Sequence, residues 1–274
     1  MKRDEVFIHP SASVHSQAKL DGGVSVGPFS SISEDVFIGK NTKIEANVFI
    51  TGKTEIGASC HFSPFSSIGT EPQDVTYLGE KTCVKIGDRN IFREFMMINR
   101  GTVKGGGKTL IGNDNYFMAY SHIAHDCSVG NETIFLHGAT LAGHVTVDDY
   151  ATVGAFSGIH QFCKVGKYAF IGGYSVITQD ILPFCRVVGS RPALVYGVNI
   201  IGLRRKKFSN KRIKVLKDMF KIIFYSDFNT TQAIEEIEKK FQPSEDKDEI
   251  LKFIQSSQRG FIKKTAEKWD IESE

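Results

Sequence analysis

The sequence predicts a parallel β-helix, an all-β repeat solenoid, followed by a C-terminal α-helical domain. Three observations predict it: a six-residue apolar beat, a small-residue slot in fixed phase with that beat, and the end of both near Pro183. Large apolar residues recur at every sixth position from Ile8 through Val14, Leu20, Val26, Ile32, Ile38, Ile44, Ile50, Ile56 and Phe62 to Ile68. The beat resumes at Ile86, Phe92 and Ile98, and again at Ile111, Phe117, Ile123, Val129, Phe135, Leu141, Val147, Val153, Ile159, Val165, Ile171 and Ile177. Amphipathic helices repeat about every 3.6 residues and half-exposed strands about every 2, so neither has this period. Short strands joined at corners do, with one large side chain turned inward per unit. Three units close one coil of eighteen residues, and stacked coils bury a column of aliphatic side chains.

The filling of each unit agrees. Glycine often follows the inward residue, as in Ile38-Gly39, Ile56-Gly57, Ile111-Gly112, Val129-Gly130 and Val153-Gly154, which suits a tight turn or a positive φ. Four positions after the inward residue stands something compact, including Ser30, Thr42, Cys60, Cys127, Thr133, Ala151 and Cys163. That slot accounts for three of the five cysteines as small core residues, and their odd number reads as reduced thiols. The 274 residues hold 26 Gly but only 7 Pro and 1 Trp, which fits a glycine-cornered array. A net charge of +3 gives no case for nucleic acid. The repeat starts almost at once after Met1, without the apolar stretch of a signal peptide, and no apolar run is long enough for a membrane span. The expectation is a cytoplasmic protein.

Two interruptions break the beat, near 70–84 and 101–110. They are either tolerated insertions or loops folded over a binding site, and the second reading is preferred. The expected division is a β-helix over 1–190 and a helical domain over 191–274. In the latter, Ser209 can cap a helix over about 210–225, Thr230 or Thr231 starts a second through about Phe241, and Ser244 a third through about Ser256. A basic run, Arg204, Arg205, Lys206, Lys207, Lys211, Arg212, Lys214 and Lys217, is either a solvated helix face or a dock for an acidic partner or phosphate.

The repeat also places the histidines. Ile123, Leu141 and Ile159 are eighteen apart and so share one face on successive coils, each about 4.8 Å further along the axis. His122, His125, His144 and His160 flank them, all outside the inward phase, and are expected to gather on one outer edge. His9, His15, His61 and His137 read as ordinary surface. The cluster admits three readings: polar surface, a zinc site, or acid–base catalysis. The third is preferred, with one histidine deprotonating an alcohol or amine, Asp126 or a neighbouring group orienting it, and the Gly143 N–H available to hold an oxyanion.

Specific motifs then carry a resemblance. His122-Ile-Ala-His-Asp-Cys127, Leu141-Ala-Gly-His144 and His160-Gln-Phe162, with Ile86-Gly-Asp-Arg-Asn90, Arg100-Gly-Thr102, Gly105-Gly-Gly107, Gly197-Val-Asn199, Gly202-Leu203 and Arg259-Gly260, closely resemble the acyl-carrier-protein-dependent UDP-N-acetylglucosamine O-acyltransferases that open lipid A synthesis. The resemblance implies a left-handed β-helix, a homotrimer with sites between subunits, and transfer of an (R)-3-hydroxyacyl chain from acyl carrier protein to the 3-hydroxyl of UDP-N-acetylglucosamine. It makes His125 the general base, Asp126 its neighbour and Gly143 the oxyanion donor. His122, His144, His160, Gln161 and Asp74 match residues holding the sugar nucleotide or the acyl arm. Asn199 matches a nucleotide contact, Arg205 and Lys206 a basic pair near phosphates and carrier, and Gly173 a position that leaves the acyl groove long. It implies no metal and no bound cofactor, the phosphopantetheine arm arriving on the carrier.

The chain departs from the family at several points. Thr76 stands where lysine is common, Asn99 where histidine is, and Ile201 where an acid is frequent, with an extra residue around 191–196. Some members N-acylate the 3-amino analogue of the sugar, which stands as the alternative acceptor. Phe170 and Tyr174 flank Gly173 closely enough to shorten the groove.

Overall fold

Each six-residue unit folds as a two-residue strand and a corner, as in Ser13–Val14, Lys19–Leu20 and Ser25–Val26. A computed structural model describes residues 5–266 of the chain; the expected helical domain's residues 267–274 lie outside them. Every strand of the coil pairs in parallel with the strand one coil on, in registers such as Phe7↔Ser25, His122↔Thr140 and Ile123↔Leu141. Three sheets result, of 11, 9 and 8 strands. The first begins with Phe7–Ile8, the second with Ser13–Val14 and the third with Lys19–Leu20. The second corner, between the second and third sheets, includes Ala124–Cys127. The first and third corners include Met118–Ser121 and Gly130–Thr133.

The inward beat is the core. Ile38, Ile50, Ile68, Ile98, Ile123, Leu141, Val153 and Ile171 are fully buried. On the first sheet four inward positions are phenylalanine, and Phe62, Phe92, Phe117 and Phe135 form a column at centroid spacings of 4.5, 4.9 and 4.9 Å. The small slot ties coils together: Thr42 Oγ1 donates to the Gly57 carbonyl at 2.9 Å and accepts from the Cys60 N–H at 3.1 Å. Cys60, Cys127 and Cys163 are buried free thiols, and burial pushes the Cys127 thiol up to about 12.

Glycine after the inward residue has a different cause from positive φ. The left-handed residues stand two positions later, among them Asn41, Ser59, Glu132 and Phe156. Gly39 is required by stacking, since a Cβ there would lie 2.7 Å from the carbonyl carbon of Gly57 on the next coil.

Both interruptions leave at the second corner. The first runs between strands Ser67–Thr70 and Cys83–Ile86, the second between Met97–Asn99 and Lys108–Ile111. Asn99 Nδ2 pins the start of the first loop, donating to Thr70 Oγ1 and to the Glu71 carbonyl. Arg100 braces it further through Gly69 and Tyr77.

Beyond the beat, strand Cys185–Val188 extends the first sheet beside Phe170–Ile171 and turns into an antiparallel partner, Leu194–Val198. The extra residue expected around 191–196 falls in this hairpin. Four helices follow among the described residues: α1 (Ile200–Arg205), α2 (Asn210–Tyr225), α3 (Thr230–Lys240) and α4 (Glu245–Ser256). Ser209 and Ser244 cap α2 and α4 as expected, whereas α3 is capped by Asn229 in a reciprocal box with Gln232. The buried Lys247 ammonium closes the end of α3 on the carbonyls of Glu238 and Phe241. Among the described residues no helix is long and apolar enough to cross a membrane.

Candidate active site at the second corner

Stacking of the coils places Gly143 over His125 and His144 over Asp126, and the His144 N–H donates to the His125 carbonyl at 3.0 Å. Asp126 and His144 both adopt left-handed φ, 60° and 63°, which turns their side chains out of the corner on the same side. His125 Nδ1 lies 2.8 Å from Asp126 Oδ2. The Asp126 carboxylate has no exposed surface at all, and it is satisfied by the second insertion: the Thr102 N–H donates to Oδ1 at 2.8 Å and the Thr102 hydroxyl to Oδ2 at 2.6 Å. A buried carboxylate in this position can accept the Nδ1 proton of His125, which would leave the Nε2 lone pair facing outward.

Two glycines make room for this pair. A Cβ on Gly105 would collide with the Asp126 carboxylate, and one on Gly143 would lie 2.7 Å from His125 Nε2. Among the described residues the Gly143 N–H meets no acceptor, while its carbonyl is taken by the Phe162 N–H. The site thus sets a free backbone donor beside a histidine. His144 packs edge-on to His125 at 5.2 Å and stacks on Phe162 at 4.4 Å. Burial lowers the pKa of His144, opposed by Asp126, and burial followed by the nearby His125 charge lowers that of His122. Both are therefore biased toward the neutral form. Asp74, on the first insertion, accepts from the Thr76 N–H and hydroxyl at 2.8 Å each, which hold its carboxyl below the usual range; the charges of Lys104 and His125 lower it further. Among the described residues His125, Asp126 and His144 are the one group that could hold a metal ion, with ligand atoms within 4.8 Å of one another.

Comparison with known proteins places both parts of the chain. Residues 108–143 match the bacterial transferase hexapeptide model of six repeats, and residues 180–262 match the second domain of the UDP-N-acetylglucosamine O-acyltransferase model. The acyl-[acyl-carrier-protein]–UDP-N-acetylglucosamine O-acyltransferase of Alkalilimnicola ehrlichii is 48% identical over 93% of this chain and 99% of that one. This chain belongs to the UDP-N-acetylglucosamine O-acyltransferase family. Solved structures concur: LpxA of Acinetobacter baumannii superposes with a TM-score of 0.91 at 38% identity, covering 93% of this chain and 99% of its own. LpxA of Bacteroides fragilis gives 0.90 at 39%, covering the same shares.

The remaining expected site residues of this O-acyltransferase family member divide among the edges of the prism. His160 and Gln161 stand at the second corner, one coil beyond Gly143, both exposed. His122 lies on the adjoining strand, half-buried. Asn199, Arg205 and Lys206 are elsewhere. Asn199 caps α1 by accepting from the Gly202 N–H and donates to the Tyr168 carbonyl, while Lys206 donates to Glu132 at 2.6 Å and lies over the Tyr150 ring. Those partners belong to the third corner. Gly173 sits at the first corner, exposed beside Tyr174, which stacks on Phe156. One chain thus unites His125, Asp126, Gly143 and His144, with Asp74 near, and keeps the basic pair and Gly173 on other edges. Thr102 and Lys104 were given no role by the sequence, although Thr102 falls within the quoted Arg100-Gly-Thr102 motif; the broken beat hid their position one coil before His125.

Proposed function

We propose that this protein transfers an (R)-3-hydroxyacyl chain from acyl carrier protein to the 3-hydroxyl of UDP-N-acetylglucosamine, the first step of lipid A synthesis. The observation that carries the reading is His125, oriented by a buried Asp126 and set against the unpartnered N–H of Gly143. His125 Nε2 takes the proton of the sugar hydroxyl as its oxygen attacks the thioester carbonyl. The Gly143 N–H receives the negative charge that forms on that carbonyl oxygen. Collapse breaks the carbon–sulfur bond, and His125 returns the proton to the departing pantetheine thiol. Asp74, His122, His144, His160 and Gln161 line the approach of sugar and acyl arm. Asn199, Arg205 and Lys206 meet the nucleotide and the carrier, and Gly173 leaves length for the chain. No cofactor beyond the carrier's own arm enters this scheme, which runs in the cytoplasm.

The same reading takes the coil as left-handed, the chain as a β-helix over 1–190 with a helical unit over 191–274, and the assembly as a homotrimer. Support for the trimer comes from the separation of these residues on three edges and from large apolar side chains that one chain leaves exposed. Phe65, Phe95, Tyr120, His137, Phe156 and Tyr174 form a ladder along the first corner whose aromatic rings are exposed, and Val75 and Leu78 project into solvent from the first insertion. A second copy seated there would bring its first corner toward the histidines of its neighbour.

The test is a mass-spectrometric turnover assay with a panel of 3-hydroxyacyl carrier proteins and UDP-N-acetylglucosamine, with and without chelator. Wild-type product formation that falls by about 10²–10⁴ in His125→Ala, with the oligomer intact, is the expected outcome. Unchanged turnover in that variant removes His125 as the base, and loss of activity to chelator alone would transfer the role to a metal at His125, Asp126 and His144.

A further inference from the structure

The turn Val103–Gly105 of the second insertion carries a cation that the reaction scheme above does not use. Lys104 Nζ reaches across to the first insertion and donates to Thr76 Oγ1 at 2.9 Å. Thr76 in turn gives its hydroxyl proton to Asp74 Oδ1 at 2.8 Å. Two residues before Lys104, Thr102 holds both oxygens of Asp126, so the chain fixes the ammonium with respect to the His125–Asp126 pair. Asp74 in turn lies within electrostatic reach of Lys104 and of His125 alike.

The partner of Lys104 is informative. A lysine set against a carboxylate is neutralised where it stands, as Lys85 is by Glu55 at 2.8 Å. Lys104 is exposed and rests on a neutral hydroxyl, and among the described residues it makes no ion pair. Its hydrogen bond is one that an anionic oxygen can displace, because such an oxygen adds charge–charge attraction to the bond that the ammonium makes with a neutral hydroxyl. A compact ammonium with three rotatable donors suits a phosphate oxygen approached from a variable direction.

We propose that Lys104 is a phosphate-binding residue at the mouth of this site, parked on Thr76 until a substrate phosphate replaces the hydroxyl. The proposal rests on the acyl-transfer reading, in which phosphate has two sources: the diphosphate of the sugar nucleotide and the phosphodiester of the carrier's pantetheine arm.

Steady-state kinetics of Lys104→Gln and Lys104→Arg, varying UDP-N-acetylglucosamine and acyl carrier protein separately, distinguish the sources. Glutamine keeps a donor for Thr76 and loses the charge; arginine keeps the charge. The expected result is a KM raised about tenfold for one substrate in Lys104→Gln, with kcat little changed and KM largely restored in Lys104→Arg. A rise for the sugar nucleotide assigns the diphosphate, and a rise for the carrier assigns the arm. Unchanged KM for both overturns the proposal and leaves Lys104 as a strap between two loops. Calorimetric binding of UDP-N-acetylglucosamine runs alongside. A wild type that binds but does not turn over sinks the acyl-transfer reading while still testing Lys104 by affinity, and one that does neither removes both.

Discussion

The chemistry at the second corner depends on how Asp126 is held. Its carboxylate is fully shielded from solvent, and two of its donors come from a single residue, Thr102. A hydrogen bond from a neutral group to a buried charge is worth roughly 1.5–3 kcal/mol, and losing it lets the carboxylate turn away from His125. Thr102→Val removes the hydroxyl at nearly constant shape, so kcat is expected to fall at least about tenfold with KM little changed, and Thr102→Ser to recover most of the loss. A Thr102→Val enzyme with wild-type kcat would show that the backbone N–H alone positions Asp126. At this scale the sequence was legible where the beat was unbroken. Counting from Ile123 put His122, His125, His144 and His160 on one edge; His125 and His144 meet there, while His122 lies half-buried on the adjoining strand. His160 and Gln161 lie on that edge without touching the pair. Thr102 and Lys104 were illegible because an insertion of arbitrary length resets the count, and nothing in the residues themselves says how far a loop folds back.

Among elements, the coil was the most readable part and the return after it the least. A six-residue period can be satisfied in few ways, so the strands, their register and their inward residues all followed from it. The glycines were expected to serve a tight turn or a positive φ, whereas Gly39 is required by the stacking of backbones from successive coils, a fact about a neighbour eighteen residues away. The hairpin Cys185–Val188 with Leu194–Val198 keeps strand geometry after the beat has gone, and α1, only six residues long, offers too little periodicity to announce itself. Helices α2 and α4 were readable because serine caps begin them. The internal phenylalanine column makes the energetics of the coil local. Phe92 is fully buried between Phe62 and Phe117, and neither neighbour can collapse into its space without leaving its own stack. Phe92→Ala is therefore expected to destabilise the protein by about 3–5 kcal/mol, read from chemical denaturation, with the secondary structure retained. A loss below about 1 kcal/mol would mean that the column repacks as a fluid rather than a jigsaw.

For the whole molecule the decisive fact is that one chain does not assemble the expected site. His125 projects from the second corner, Lys206 is tied to Glu132 at the third, and Gly173 opens at the first beside an exposed aromatic ladder. A rigid prism cannot fold these edges together, so either the outlying residues have no part in the reaction or they act on the site of a neighbour. Two crippled variants separate the cases. His125→Ala lacks the base, and Arg205→Glu with Lys206→Glu lacks the basic pair; each alone is expected to be inactive or nearly so. Unfolded together, mixed and refolded, they would form, if the proposed trimer holds, assemblies in which some sites draw an intact His125 from one subunit and an intact basic pair from another. With random association in a symmetric trimer, roughly a quarter of the sites are complete, and activity should recover to about that fraction of wild type. A site built within one chain has no such route, because every subunit in the mixture carries a defect. Recovery near zero, in a mixture shown by mass to contain hybrid trimers, would therefore return the basic pair to its own subunit and take away the strongest reason for placing the active site between chains.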